Sequence, residues 1–257
     1  MLNIAIKAAR KAGAVISRAS NDLDKLTVEQ KAPNDYVSEV DRAAEAAIIE
    51  VLKTAYPQHS ILAEESGETK TDSDYLWIID PLDGTTNFLH GLPQYCVSIA
   101  LSVKGSLNQG VIYDPTRNEL FTASKGGGAF LNDRRIRVSR KINLQDCLIG
   151  TGFPSREMHN FDRYIAMFKD LTPKCAGIRR PGAAALDLAY VACGRYDGFW
   201  EMGLSAWDMA AGVLMIKEAG GLVTDFAGED DYLNTGTIVA STPKAFPALL
   251  KIVQAHR

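Results

Sequence analysis

Two carboxylates, Asp80 and Asp83, close the segment Trp77-Ile78-Ile79-Asp80-Pro81-Leu82-Asp83-Gly84-Thr85-Thr86-Asn87-Phe88. An apolar run delivers Asp80 at the end of a strand, Pro81 prevents the strand from continuing, and an Asp83-Gly84 turn brings the second carboxylate back toward the first. Neighbouring carboxylates cannot both ionise comfortably without compensation, so the pair calls for a cation. With oxygen donors alone in the segment, the arrangement suits a hard cation such as Mg2+, and the Leu82 carbonyl in the turn offers a further ligand. Thr85 and Thr86 suit helix N-cap positions. Gly84 lets the backbone approach a ligand, and free amides there can hold a phosphate oxygen. Taken alone, the segment also reads as a capped turn after a strand, since Asp-Gly is a common turn dipeptide.

Other acidic positions bear on that choice. Glu64 and Glu65 follow the short apolar run Ile61 to Ala63, and a buried strand tip is an expensive place for two charges without a partner. The same residues also read as a solvated loop, Glu64-Glu65-Ser66-Gly67. Asp208, after Trp207, opens an Ala/Gly-rich helix, where it either complements the helix dipole or serves as a ligand. Asp41 ends the run Asn34-Asp35-Tyr36-Val37-Ser38-Glu39-Val40-Asp41, and there an acidic residue in a first helical turn is the plainer reading.

The elements that must position these groups follow from hydrophobic spacing. Ile6, Ala9, Gly13 and Ile16 predict a helix from Leu2 to about Ser20, and Ala44, Ala47, Ile48, Val51 and Leu52 a second from about Ser38 to Tyr56, stopped by Pro57. Ile61 to Ala63 and Tyr75 to Ile79 read as short buried strands. From Tyr95 to Ser139, Val/Ile/Leu alternation cut by Gly and Asp-Pro punctuation predicts four or five antiparallel strands. After Leu144 strands and helices alternate: Cys147 to Gly152, Met158 to Leu171 (helix), Gly182 to Cys193 (helix) and Tyr196 to Glu201. A helix over Ala206 to Ala219, strands over Leu222 to Phe226 and Thr237 to Ala240, and a last helix from about Pro243 complete the chain. A soft boundary therefore falls near residue 141, between an α+β half (1–140) carrying most candidate ligands and an α/β half (141–257). No linker separates them, so a site shared across the seam is expected.

At 257 residues and 46% hydrophobic content the chain can bury a substantial core. Its 28 basic and 31 acidic residues, net charge -3, are spread without a block that advertises nucleic acid or an anionic membrane. The first helix is interrupted by Lys7, Arg10, Lys11 and Arg18, and no stretch is apolar enough to span a bilayer, which points to a soluble, cytoplasmic protein. Cys96, Cys147, Cys175 and Cys193 form no C-x-x-C pair, and His59, His90, His159 and His256 are scattered, so neither a zinc site nor a disulfide framework is indicated.

Together these segments resemble the inositol monophosphatase family. The likeness covers Trp77 to Phe88, Ala63-Glu64-Glu65-Ser66, Asp35 to Asp41, and Trp207-Asp208-Met209-Ala210-Ala211-Gly212 continuing to Glu218-Ala219-Gly220-Gly221. Arg179 to Leu188 and Gly194-Arg195-Tyr196-Asp197-Gly198 look closest to a bacterial branch whose members also associate with the transcription machinery, with Pro181 and Ala183 as minor departures. The resemblance implies an α+β fold, a layered αβαβα sandwich shared with fructose-1,6-bisphosphatase, usually homodimeric, with two or three Mg2+ ions and lithium as inhibitor. It implies that Glu64, Asp80 and the Leu82 carbonyl hold a first ion, and Asp80, Asp83 and Asp208 a second. Glu201 would bind substrate hydroxyls beside the Gly182-Ala183-Ala184 backbone, with Arg179 a further candidate.

The expected reaction is hydrolysis of myo-inositol 1-phosphate and related inositol monophosphates by an activated water, with Glu64 and Thr85 orienting the water and Asp41 fixing the Thr85 hydroxyl. A haloacid-dehalogenase-type phosphatase needs two aspartates two residues apart, and Asp80 and Asp83 are three apart. Fructose 1,6-bisphosphate, NADP or another small phosphate on the same fold remains an alternative, as does a binding role with the transcription machinery.

Overall fold

The structure, a computed structural model, describes residues 1–32, 35–154 and 158–257, so Asn34 of the Asn34 to Asp41 motif lies outside the described residues. The first half contains α1 (Leu2–Ala19), β1 (Val28–Ala32), β2 (Asp35–Ser38), α2 (Glu39–Ala55), β3 (Ser60–Ala63), β4 (Gly67–Thr69), β5 (Tyr75–Asp83) and α3 (Thr85–Leu89). It continues through the meander β6 (Cys96–Val103), β7 (Ser106–Asp114), β8 (Glu119–Ser124), β9 (Gly128–Leu131) and β10 (Arg134–Arg135). The second half contains β11 (Leu148–Thr151), α4 (Phe161–Leu171), β12 (Gly177–Arg179), α5 (Ala184–Ala192), β13 (Gly198–Met202), α6 (Ala206–Glu218), β14 (Leu222–Thr224), α7 (Tyr232–Thr235), β15 (Thr237–Ser241) and α8 (Phe246–Ala255).

An eight-stranded sheet runs in the order β10-β9-β8-β7-β6-β5-β3-β4, antiparallel except for the β3–β5 pair. A five-stranded mixed sheet runs β12-β11-β13-β15-β14, with β11 parallel to both its neighbours. Among the described residues, three apolar cores hold five layers together, the middle core enclosing one helical layer on both faces. Helices α1 and α2 cover one face of the large sheet through Ile16, Ile48 and Leu52 against Trp77 and Ile79. Burying each such side chain contributes roughly 1.5–3 kcal/mol. Helices α5 and α6 lie between the sheets, and α4 and α8 close the outer face of the small one. The result is the α+β, αβαβα sandwich.

The middle layer has its own sequence signature. All nine residues of α5, and every residue of α6 from Asp208 to Ile216, are buried. A helix apolar on every side belongs in an interior rather than on a surface. Both helices follow residue 141, yet they share a core with the sheet built before it.

Four or five antiparallel strands are expected between Tyr95 and Ser139, and five are present, β6 to β10. Elsewhere the structure corrects the reading. Strand β5 passes through Pro81 to Asp83, and the β5–β6 register slips between Asp80, opposite Ser98, and Asp83, opposite Cys96. Pro81 thus sits in a bulge, where its missing N–H deprives no ladder partner. Helix α4 starts at Phe161 after a short 3-10 turn at Met158–Asn160. The antiparallel pair β1 and β2 and the short strands β4 and β12 carry too few apolar residues to register as strands.

Candidate active site

Strand β5 and its bulge place Asp80 and Asp83 in a deep cleft, and the N-terminus of α6 brings Asp208 to meet them across the seam. One carboxylate oxygen from each lies within 4.8 Å of the others. All three side chains are nearly closed to solvent, at 1%, 9% and 8% exposure. At an effective dielectric constant of 20, two unit charges 4 Å apart repel by about 4 kcal/mol. Burial, then the charges of Glu64, Asp83 and Asp208, push the Asp80 carboxyl well above the usual carboxylate range. Burial and the Asp208 charge push Asp83 up to about 7, against the opposing pull of backbone amides at the start of α5. Burial, with repulsion from Asp208 added, wins over those amides. The donor set, hard oxygens crowded and poorly compensated, fits a divalent oxygen-seeking cation such as Mg2+.

Asp83 also shows how the second half orders the first. Its Oδ2 accepts the Ala185 N–H at 2.8 Å and faces the buried Cys96 Sγ at 3.7 Å. Asn87, in α3, reaches the same segment: its side-chain amide donates to the carbonyls of Gln94 (2.8 Å), Pro181 (2.9 Å) and Gly182 (3.2 Å).

The Thr85 hydroxyl lies 2.8 Å from Asp41 Oδ1 and 3.0 Å from the Leu82 carbonyl, donating one proton between two acceptors. Asp41 Oδ2 is already taken: it accepts the Ser38 N–H (2.8 Å) and hydroxyl (2.6 Å) in the capping box that starts α2. The residue is therefore both a first-turn acid and the partner of Thr85. Neither Thr85 nor Thr86 is the cap of α3. That position belongs to Gly84, whose φ of 94° and backbone approach to Gln94 and Tyr95 leave no room for a side chain.

These groups border a cavity of about 450 Å3. Of the expected residues, Glu64, Asp80, Leu82, Asp83 and Asp208 line it, together with Gly84, Thr85, Thr86, Gly182, Ala183, Ala184 and Glu201. Asp41 stands behind Thr85. Glu201 arrives from β13 and packs over Gly152, where any Cβ would collide with its carboxylate. Arg179 is not brought to the cavity: its guanidinium donates to the Ile178 carbonyl, and the neighbouring Arg180 lines the wall, stacked 4.5 Å over Phe153.

Several contributors escaped the sequence reading. Tyr36, Phe153, Met158, Phe161 and Leu204 give the cavity its apolar rim. Glu45, buried on α2, accepts the backbone N–H groups of Glu65 and Ser66 at 2.9 Å each and so fixes the turn that presents Glu64. A charged residue inside the apolar stripe of α2 was the available signal.

The model of the Inositol monophosphatase family matches residues 1–257. A Pseudomonas aeruginosa protein called Nus factor SuhB is 56% identical, with 100% of this chain and 96% of that protein covered. Among solved structures, the extragenic suppressor protein suhB from Bartonella henselae is 48% identical with a TM-score of 0.95, covering 98% of this chain and 97% of that one. The inositol monophosphatase from Anabaena is 43% identical with a TM-score of 0.85, covering 99% and 95%. A structure described as an IMPase/NADP phosphatase complexed with Mg2+ and phosphate is 26% identical with a TM-score of 0.81, covering 93% and 90%.

Proposed function

The chain belongs to the inositol monophosphatase family, a family of phosphatases, and from that premise we propose that it hydrolyses myo-inositol 1-phosphate and related inositol monophosphates in a Mg2+-dependent reaction. The observation that carries this reading is the cluster of Asp80, Asp83 and Asp208 beside Glu64 and Glu201 in one cavity. Glu64, Asp80, Asp83, Asp208 and the Leu82 carbonyl would hold two or three Mg2+ ions. When bound, Mg2+ neutralises the carboxylates and the phosphate dianion, lowering the barrier to attack by water.

The protein's own groups divide the remaining work. Asp41 Oδ1 draws the Thr85 proton, which turns the hydroxyl lone pairs toward the attacking water. Glu64 accepts that water's proton as its oxygen closes on phosphorus. The ester oxygen leaves on the opposite side and takes a proton from solvent, so no phosphorylated enzyme forms. Glu201 accepts hydrogen bonds from polyol hydroxyls, and the backbone of Gly182 to Ala184 sets the ring's position. We place the protein in the cytoplasm as a lithium-sensitive homodimer. No described helix is long and apolar enough to cross a membrane.

The test is phosphate release from inositol 1-phosphate and fructose 1,6-bisphosphate, side by side, across a Mg2+ titration with and without lithium. Faster, lithium-sensitive turnover of the inositol ester is expected. Preference for the bisphosphate would keep the site and change the substrate. Turnover of neither would move the reading toward NADP, another small phosphate or a binding role. The name Nus factor given to the P. aeruginosa relative favours one such role, association with the transcription machinery. A pull-down from the source cells that enriched no transcription protein would count against it.

A further inference from the structure

Five cations fall within eight consecutive positions: Arg134, Arg135, Arg137, Arg140 and Lys141. All five are exposed. Among the described residues none of them forms an ion pair. Between Asn132 and Asn143 the only acidic residue is Asp133, so this stretch is strongly positive in a chain whose net charge is -3.

The segment is held extended by the core beneath it. β10 is the edge strand of the large sheet, paired to β9. Beyond it, the Ile136 N–H donates to the Ala129 carbonyl (2.9 Å) and the Val138 N–H to the Ala219 carbonyl (3.2 Å), while both side chains pack on the middle core. The Ser139 hydroxyl donates to Asp197, and the Thr242 hydroxyl to the Lys141 carbonyl at 3.0 Å. The backbone that carries the charges is thus held in place and needs little ordering on binding. An extended chain advances about 3.3 Å per residue, which sets roughly 23 Å as the longest span of the five charges.

We propose that this ribbon is a docking rail for the phosphate backbone of single-stranded nucleic acid. Four of the five cations are arginines, whose planar forks take two phosphate oxygens at once. Alternation along the extended backbone turns Arg135 and Arg137 away from the core on which Ile136 and Val138 pack, and all five cations reach the surface, where a flexible phosphate backbone can meet them. No aromatic residue lies between Asn132 and Asn143 to stack on a base or anchor a protein partner, so the contact is electrostatic and independent of sequence.

The experiment measures fluorescence anisotropy of a labelled oligouridine 20-mer with the full chain between 50 and 200 mM KCl. Three to five phosphate contacts give a slope of log K against log salt of about -2 to -3.5. The double variant Arg135→Glu/Arg137→Glu should bind at least about tenfold more weakly, with the slope reduced by roughly 1.4. Lys244→Glu/Lys251→Glu, an equal change of net charge at exposed positions elsewhere, should stay near wild type. Melting temperature and phosphate release are read on every variant. Arg137→Ala/Arg140→Ala provides a milder version should the reversal disturb the fold. The proposal is overturned by equal weakening in the two charge-reversed proteins, by no wild-type binding at 50 mM KCl, or by polyglutamate displacing the RNA at equal charge concentration.

Discussion

Helices α2 and α6 begin alike and end up doing different things. In each, an aspartate three residues after a serine accepts that serine's backbone N–H through Oδ2: Asp41 from Ser38 at 2.8 Å, Asp208 from Ser205 at 2.7 Å. The surroundings of the carboxylate make the difference. Asp41 Oδ1 meets a donor, the Thr85 hydroxyl, whereas Asp208 stands among the carboxylates of Asp80 and Asp83. The same capping device gives a compensated carboxylate at one helix and a member of a repulsive cluster at the other. Structural and chemical readings of such a residue are therefore not rivals, because each carboxylate has two oxygens to spend.

The largest effect should come from Asp208→Ala or Asp83→Ala, which should lower phosphate release by about 10^3-fold or more while circular dichroism stays native. Near-normal turnover in either would remove the cluster from the mechanism. Asp41→Asn should fall by roughly 10–100-fold, because an amide oxygen holds the Thr85 proton less strongly and its NH2 then faces the Ser38 donors that Oδ2 accepts from. A loss equal to that of Asp208→Ala would erase the distinction between the two helices.

Proton linkage sharpens it further. The folded Asp83 carboxyl is pushed up to about 7, above its unfolded value, so its contribution to stability is fully present at low pH and is lost as pH rises through about 7. Without metal, the melting temperature should fall between pH 5 and pH 8, and added Mg2+ should raise it more at pH 8. A metal-free protein with a flat profile would contradict the repulsive cluster. The smallest effect belongs to Ser38→Ala, about 1 kcal/mol of stability in denaturant unfolding from the lost cap. That substitution should leave the Mg2+-induced shift unchanged.

Much of this was legible in the sequence because it was local. Periodicity placed α1 and α2, the punctuation of Tyr95 to Ser139 gave the meander, and the acidic positions Glu64, Asp80, Asp83 and Asp208 do line one cavity. Long-range features were hidden. The charge inside the α2 stripe marks Glu45 as unusual, but the order of residues does not say that its partner is the turn after β3, or that Asn87 will bridge to Pro181 and Gly182. Pro81 misled because a proline that ends a strand and one that sits in a bulge look alike until the partner strand is known. Arg179 and Arg180 differ only in which way each side chain leaves the chain. Charge averaged over the whole sequence concealed the run from Arg134 to Lys141.

The burial of α5 and α6 between the sheets also sets a schedule. A ribosome finishes the large sheet at β10 well before it delivers the helices that cover its inner face. At roughly 5–20 residues per second, the nascent chain carries that apolar surface uncovered for several seconds. The unfinished chain, rather than the finished enzyme, is the species most in need of a chaperone.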